Sequence, residues 1–206
     1  MNLCSDFRCV NSFIKPHCTH FNYTFVMKKA ILITILMALS IGHGYSQDNT
    51  YYTQSAILLI HGKYGDQALV GLTKELRVSL DYETTEMILK FNLNTLSFNV
   101  DTLNHMLETT HQEVTFSGAL DLDYINTKGH PPLDFAIEGR LSIEQSTVNM
   151  NGKGELHHIT DAGIYSCLLG ITMKLNLNDL QLELPSQVYH EIEIEITQAL
   201  LERDKN

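Results

Sequence analysis

The chain has 206 residues, 44% of them hydrophobic and 18% charged, a balance that excludes a disordered or fibrous polypeptide. Its length suits one domain of the usual size, about 100–200 residues. With 14 Lys and Arg against 24 Asp and Glu, the net charge is −10, which argues against nucleic acid or an anionic lipid surface as partner.

Met27-Lys28-Lys29 precedes an uncharged apolar run, Ala30 to Ile41, and the small residues Gly42, Gly44 and Ser46 follow it. A charged start, an apolar middle and a small-residue exit are the layout of a secretory signal peptide, with cleavage expected after Ser46. The run is shorter than the about 20 residues that span a bilayer, so no stable membrane span is expected after cleavage. Residues 1–26 hold Cys4, Cys9 and Cys18. Because they stand ahead of a complete signal, they read as a non-native upstream extension, with translation beginning at Met27. The expected mature chain, 47–206, is then a single domain, periplasmic or secreted. Four of the cations and one of the acids precede residue 47, so 47–206 carries a net charge of −13. Its single cysteine, Cys167, forms no internal disulfide, so a hydrophobic core must hold the domain together.

From there the sequence alternates with period two. Tyr51–His61 reads as a first strand. Leu76, Val78, Leu80 and Tyr82 share one parity, as do Met87, Leu89, Phe91 and Leu93, after which Leu96 and Phe98 switch it. Asp101–Glu108 reads as a short helix, with Asp101 as N-cap and Leu103, Met106 and Leu107 as its apolar face. Val114–Tyr124 and Leu133–Ile143 alternate throughout. Ile171–Leu177 and Leu180–Leu184 alternate with opposite parity, so a bulge or bend is expected at Asn178-Asp179. Glu191–Ile196 alternates without a break, its three glutamates reading as a solvated outer face that discourages edge pairing. Turn signals fall at 62–66, 126–132 and 149–154. About eight strands, one short helix and no second domain predict an all-β antiparallel barrel or sandwich.

The sequence carries no nucleophile elbow, zinc-protease helix, phosphate loop or dinucleotide fingerprint, so no enzyme and no cofactor are expected. His157, His158 and Asp161 are donor types suited to zinc or copper. Adjacent strand residues point to opposite faces, so the two histidines reach one ion only from a loop; the stretch reads instead as a polar loop or strand edge, and no metal is expected. Cys167, in an apolar run, reads as a small buried hydrophobe rather than a nucleophile. His105 and His111 lie at and beyond the helix end, where they either line a mouth and titrate near neutral pH or, for His105, simply stand in solvent. Phe91, Phe98, Phe116 and Phe135 fall on the apolar parity of their strands. They either fill a closed core or line a cavity, since an eight-stranded barrel does either.

The mid-chain helix with His105-Met106-Leu107, the following Val114-Thr115-Phe116-Ser117, the Gly139-Arg140-Leu141-Ser142-Ile143 strand, the bend at Asp179 and the alternating end from Val188 to Ile196 together resemble the YceI-like family. Glu113 replaces that family's usual Pro-led strand start. The family's Arg-Asp pair before the histidine is absent, as is its Gly-Val-Thr-Lys-type segment. The resemblance implies a lipocalin-like barrel that binds lipid or polyisoprenoid in an apolar cavity. The expected wall residues are Phe91, Phe98, Val114, Phe116, Phe135, Ile137 and Leu141, with His105 as a polar contact at the mouth. The expected partner is an apolar small molecule or isoprenoid lipid, and a homodimer is left open. The alternative is a filled barrel acting as a structural or stress-related interaction module of the cell envelope.

Overall fold

The structure is a computed structural model that describes residues 50–126, 130–159, 166–180, 182 and 184–203. All of these residues belong to one compact unit, 48–206. The expected signal peptide, Cys4, Cys9, Cys18 and Asp161 lie outside them.

Long strands of alternating residues close into a ring. In chain order the elements are β1 (Thr50–Tyr64), β2 (Gln67–Asp81), β3 (Glu86–Asn92), β4 (Ser97–Phe98), α1 (Asp101–Leu107), β5 (Glu113–Leu120), β6 (Leu133–Ile143), β7 (Ser146–Ile159), β8 (Ser166–Asn176) and β9 (Glu191–Arg203). The sheet order is β1-β9-β8-β7-β6-β5-β3-β2-β4, and β1 also pairs with β2. β3 and β4 are two parts of one stave, both paired to β2 and separated by a 3-10 turn at Leu93–Thr95. The result is a closed antiparallel barrel of eight staves with one α-helix among the described residues, the lipocalin-like arrangement.

The inward parity is the apolar one. Leu76, Val78, Leu80, Met87, Leu89, Phe116, Ile137, Leu156, Ile171 and Ile196 are all buried. On β9 the outward Glu191 and Glu193 are exposed, whereas Ile192 and Ile194 point inward. Two register shifts between Thr53 and Leu58 bend the long β1, the means by which a strand curves within a barrel.

Several boundaries differ from the sequence reading, each for a local reason. The parity switch before Phe98 is the 3-10 turn at Leu93–Thr95. The expected bend at Asn178-Asp179 is a second 3-10 turn, Leu177–Leu180, and before β9 the chain meets β1 at a single bridge, Tyr64–Val188. β5 stops at Leu120, not Tyr124, because the Asp121 carboxylate accepts a hydrogen bond from the Ala136 amide (2.6 Å) and ties the chain to β6. Val100, in extended conformation, is the N-cap of α1 in place of Asp101 and makes no side-chain cap. Asp101 stands in the first turn instead, where its charge favours the positive end of the helix dipole.

Two glycines are placed where a ring needs backbone beneath it. Gly118 and Gly139 pair across β5 and β6. A Cβ added to Gly139 would lie 2.6 Å from Phe116 Cζ and 2.5 Å from the Ser117 carbonyl oxygen. The Phe116 ring therefore covers the glycine pair, a cross-strand aromatic–glycine packing.

Glu113, at the position where the resemblance lacks its usual Pro-led start, has a partner on each of two neighbouring strands. Arg77 Nη2 lies 2.5 Å from Glu113 Oε2, and Lys90 Nζ lies 3.5 Å from Oε1. The Arg77 hydrogen bond, aided by Lys90, holds the carboxyl below its ordinary range. A lowered carboxyl contributes stability above its unfolded pKa and loses it as the pH falls through the folded value. Because the pair is exposed and screened, Glu113→Gln is expected to cost no more than about 1 kcal/mol at neutral pH. At about pH 2 the cost is expected to vanish; urea melts of both proteins at the two pH values check this.

Candidate functional site

One end of the barrel contains an apolar cavity of about 160 Å³ whose described lining side chains are all Leu, Ile, Val, Phe or Met. Its walls are the later halves of β1, β3, β6 and β8 and the first halves of β2, β5, β7 and β9, which the antiparallel register brings to one level. Its cover comes from α1, through Leu103, Met106 and Leu107, and from the segment around Leu180, Leu182 and Leu184. Met106 and Leu184 are also exposed large hydrophobics, at 44% and 36%, so the rim of the cavity reaches the surface.

Side-chain amides fasten this cover. Asn104 of α1 accepts from the Phe98 amide (2.7 Å) and donates to the Phe98 carbonyl (2.9 Å). Asn99 accepts from the Val70 amide and donates to the Ala68 carbonyl, both at 2.9 Å. Each amide imitates a residue of a β-ladder, so α1 and β4 are attached to β2 without a continuous strand. Asn104→Ala removes one such clamp and is expected to cost about 1–3 kcal/mol. It is also expected to speed hydrogen exchange at the Phe98 amide, readable by NMR.

Of the expected wall residues, Phe91, Phe98, Val114, Phe116 and Leu141 line this cavity. Phe135 and Ile137 are buried but lie outside the lining, further along the barrel. There the Phe135 ring covers Gly154. His105 is not a lining residue either. It is exposed on α1 beside Met106, its Nδ1 3.6 Å from Glu108 Oε2. The sequence reading did not single out the methionines Met106, Met150 and Met173 or the leucine-rich segment after β8 as wall. Met173 falls on the alternation of Ile171–Leu177, whereas Met150 lies in the 149–154 stretch that reads as a turn and is instead interior to β7; the Leu180–Leu184 alternation falls beyond β8, outside any strand.

The opposite end of the barrel is filled. Tyr51 and Tyr82 stack with centroids 3.9 Å apart, and Leu156, Leu169, Leu201 and Cys167 are fully buried there. His157 and His158 lie on β7 and point to opposite faces, as adjacent strand residues must. His157 pairs outside with Glu155 at 3.1 Å. His158 turns inward to Cys167, its register partner on β8. The Tyr82 hydroxyl donates to the Cys167 sulfur, while burial pushes the thiol up from its ordinary value. Burial, with His130 nearby, lowers the His158 imidazole. A buried neutral thiol does not react readily. Cys167 is therefore expected to resist iodoacetamide in the folded chain and to react fully in denaturant, as peptide mass mapping checks.

Fold and cavity together define the class: an eight-stranded antiparallel lipocalin-like barrel with an apolar interior at one end. No protein-family model matches the sequence, and no curated protein matches it. Among solved structures, the barrel is similar to a polyisoprenoid-binding domain from Saccharophagus degradans implicated in plant cell wall breakdown. That match has a TM-score of 0.52 and 9% identity, covering 75% of this chain and 98% of that one. It is also similar to BcnA of Burkholderia cenocepacia, with a TM-score of 0.51 and 11% identity over 72% of this chain and 96% of BcnA. The fold implied by the resemblance to the YceI-like family is the fold found; at such identities the likeness is one of fold.

Proposed function

We propose that this chain is a lipid- or polyisoprenoid-binding barrel protein that acts in the periplasm or outside the cell and is not an enzyme. The observation that carries the reading is the cavity of about 160 Å³ whose described wall residues are all apolar, with a rim at the surface. An engineered apolar cavity of about 150 Å³ stays dry and binds benzene, so the space takes a group the size of one isoprene unit. Longer chains require the wall to yield. Met106, Met150 and Met173 suit that, being unbranched and adaptable. Each Å² of apolar ligand surface removed from water contributes about 25 cal/mol. With no polar side chain among the described wall residues, a headgroup stays at the rim, where His105 is the proposed polar contact. The fold likeness to a polyisoprenoid-binding domain supports the same reading, as does the apolar run after Met27, whose signal-like layout fits export.

The test is native mass spectrometry of the full chain, followed by organic extraction and reloading with farnesol. A stoichiometric, extractable adduct of a few hundred daltons, or saturable farnesol binding at one per chain, upholds the proposal. A bare protein mass together with no farnesol binding removes it in favour of the filled-barrel interaction module.

A further inference from the structure

The barrel's filled end carries a cluster that the apolar cavity does not use. We propose that His130, His158 and Cys167 form a zinc-binding site there, independent of the lipid reading.

The donors converge from three separate stretches of chain. One ligand atom from each lies within 4.8 Å of the others. His158 Nδ1 is 3.7 Å from Cys167 Sγ, the two residues being register partners on β7 and β8. Zinc bonds of about 2.0–2.1 Å to nitrogen and about 2.3 Å to sulfur put neighbouring donors about 3.3–3.8 Å apart. The strand-borne pair already stands at that separation. Closing the remaining gap takes a shift of about 1 Å, which falls to His130 because it sits on the connection between β5 and β6.

His130 is also prepared chemically. Its Nδ1 lies 2.7 Å from the Pro131 carbonyl oxygen, a contact only a protonated Nδ1 makes. That fixes the tautomer and leaves the lone pair on Nε2, the usual arrangement of a metal-ligating histidine. This Nε2 is buried and has no hydrogen-bond partner among the described residues. A buried acceptor left unmatched costs free energy, and an ion held with His158 and Cys167 would match it. The Tyr82 hydroxyl touches the same sulfur and serves as its outer partner. Leu156, Leu169 and Leu201, all fully buried, fill the same end of the barrel, and both histidines are half-buried.

Two imidazoles and one thiolate suit zinc and not calcium or magnesium, which take oxygen. On binding, the sulfur forms its bond to the metal and the thiol proton passes to solvent. Three protein donors leave a fourth position for water.

The test uses the full chain with Cys4, Cys9 and Cys18 replaced by serine, so that Cys167 is its only thiol. Cobalt(II) is the probe, because a cobalt–thiolate bond gives a near-ultraviolet charge-transfer band. One cobalt per chain with that band, displaced by one zinc, is expected. Cys167→Ser is expected to abolish the band. His130→Gln and His158→Gln are each expected to weaken zinc binding at least tenfold, with His157→Gln unchanged. Circular dichroism of each metal-free variant establishes folding, and His130→Gln, outside the strands, keeps the test decisive if a strand variant does not fold. Absence of stoichiometric cobalt, or binding that survives Cys167→Ser or His130→Gln, overturns the site and leaves a hydrogen-bonded polar plug. Farnesol binding by the Cys167→Ser protein reads the cavity separately, so failure of either proposal is seen without the other.

Discussion

Phe116→Ala is expected to lower the stability of the folded chain by about 3–5 kcal/mol, the upper part of the range for core truncations. Phe116 is 2% exposed, and its ring faces the cavity on one side and the Gly118–Gly139 pair on the other. A hole left by a core side chain is partly refilled when neighbours lean in. Glycines have no side chain to lean, and the cavity is already empty space, so the relaxation available here is small. Against a total stability of about 5–15 kcal/mol, the variant would be marginal. Urea melts at unchanged m-value measure the loss; a loss under about 1 kcal/mol would mean that the ring does not rest on the glycines. Phe116→Asp goes further, placing a carboxylate in an apolar wall. It is expected to abolish ligand retention, a result that bears on the cavity only for protein shown to be folded.

Leu141→Trp addresses function without emptying the core. Leu141 lies on β6, is 6% exposed, lines the cavity and stands opposite Phe116 across the β5–β6 ladder. A larger side chain in a tightly packed core costs about 1–3 kcal/mol, but here open space lies beside it. Stability is therefore expected to change little, while the indole occupies the volume a ligand needs. Farnesol binding is expected to fall at least tenfold, about 1.4 kcal/mol, with the thermal midpoint nearly unchanged. A folded Leu141→Trp protein that binds as well as the parent would move the ligand out of this cavity.

How much of this was legible in the sequence follows from what a period of two encodes. Val114–Leu120, Leu133–Ile143 and Glu191–Ile196 each bury one face, and their alternation assigned that face correctly residue by residue. Alternation says which side is inside but not how high along the barrel a residue sits. Phe91 and Phe135 share the inward parity, yet one lines the cavity and the other packs on Gly154. That level is set by which strands pair and with what stagger, a long-range property. The two 3-10 turns were visible only as parity breaks at Leu96–Phe98 and Leu177–Leu180. The inward histidine cluster was half visible: opposite facing of His157 and His158 follows from strand geometry, but the partners of His158 come from the β7–β8 register and a distant connection.

The interrupted stave also bears on how the proposed ligand would enter the interior. β4 has only two residues, pairs with β2 alone, and has no ladder toward β5, whose pairing to β3 ends at Asn92–Glu113. Where other barrels have continuous hydrogen-bonded wall, this one has a seam spanned by a seven-residue helix and two asparagine amides. Lifting α1 off the seam breaks the two Asn104 hydrogen bonds; releasing β4 as well breaks the two Asn99 side-chain bonds and the two-residue β2–β4 ladder, and no other ladder of the ring. The free energy of opening the seam is therefore set locally and lies well below that of global unfolding. Passage in and out would run on the microsecond-to-millisecond scale of lid motions, with the rest of the barrel standing still. Amides of β4 and α1 should accordingly exchange with deuterium long before those of β8, and an added apolar ligand should slow the first set alone.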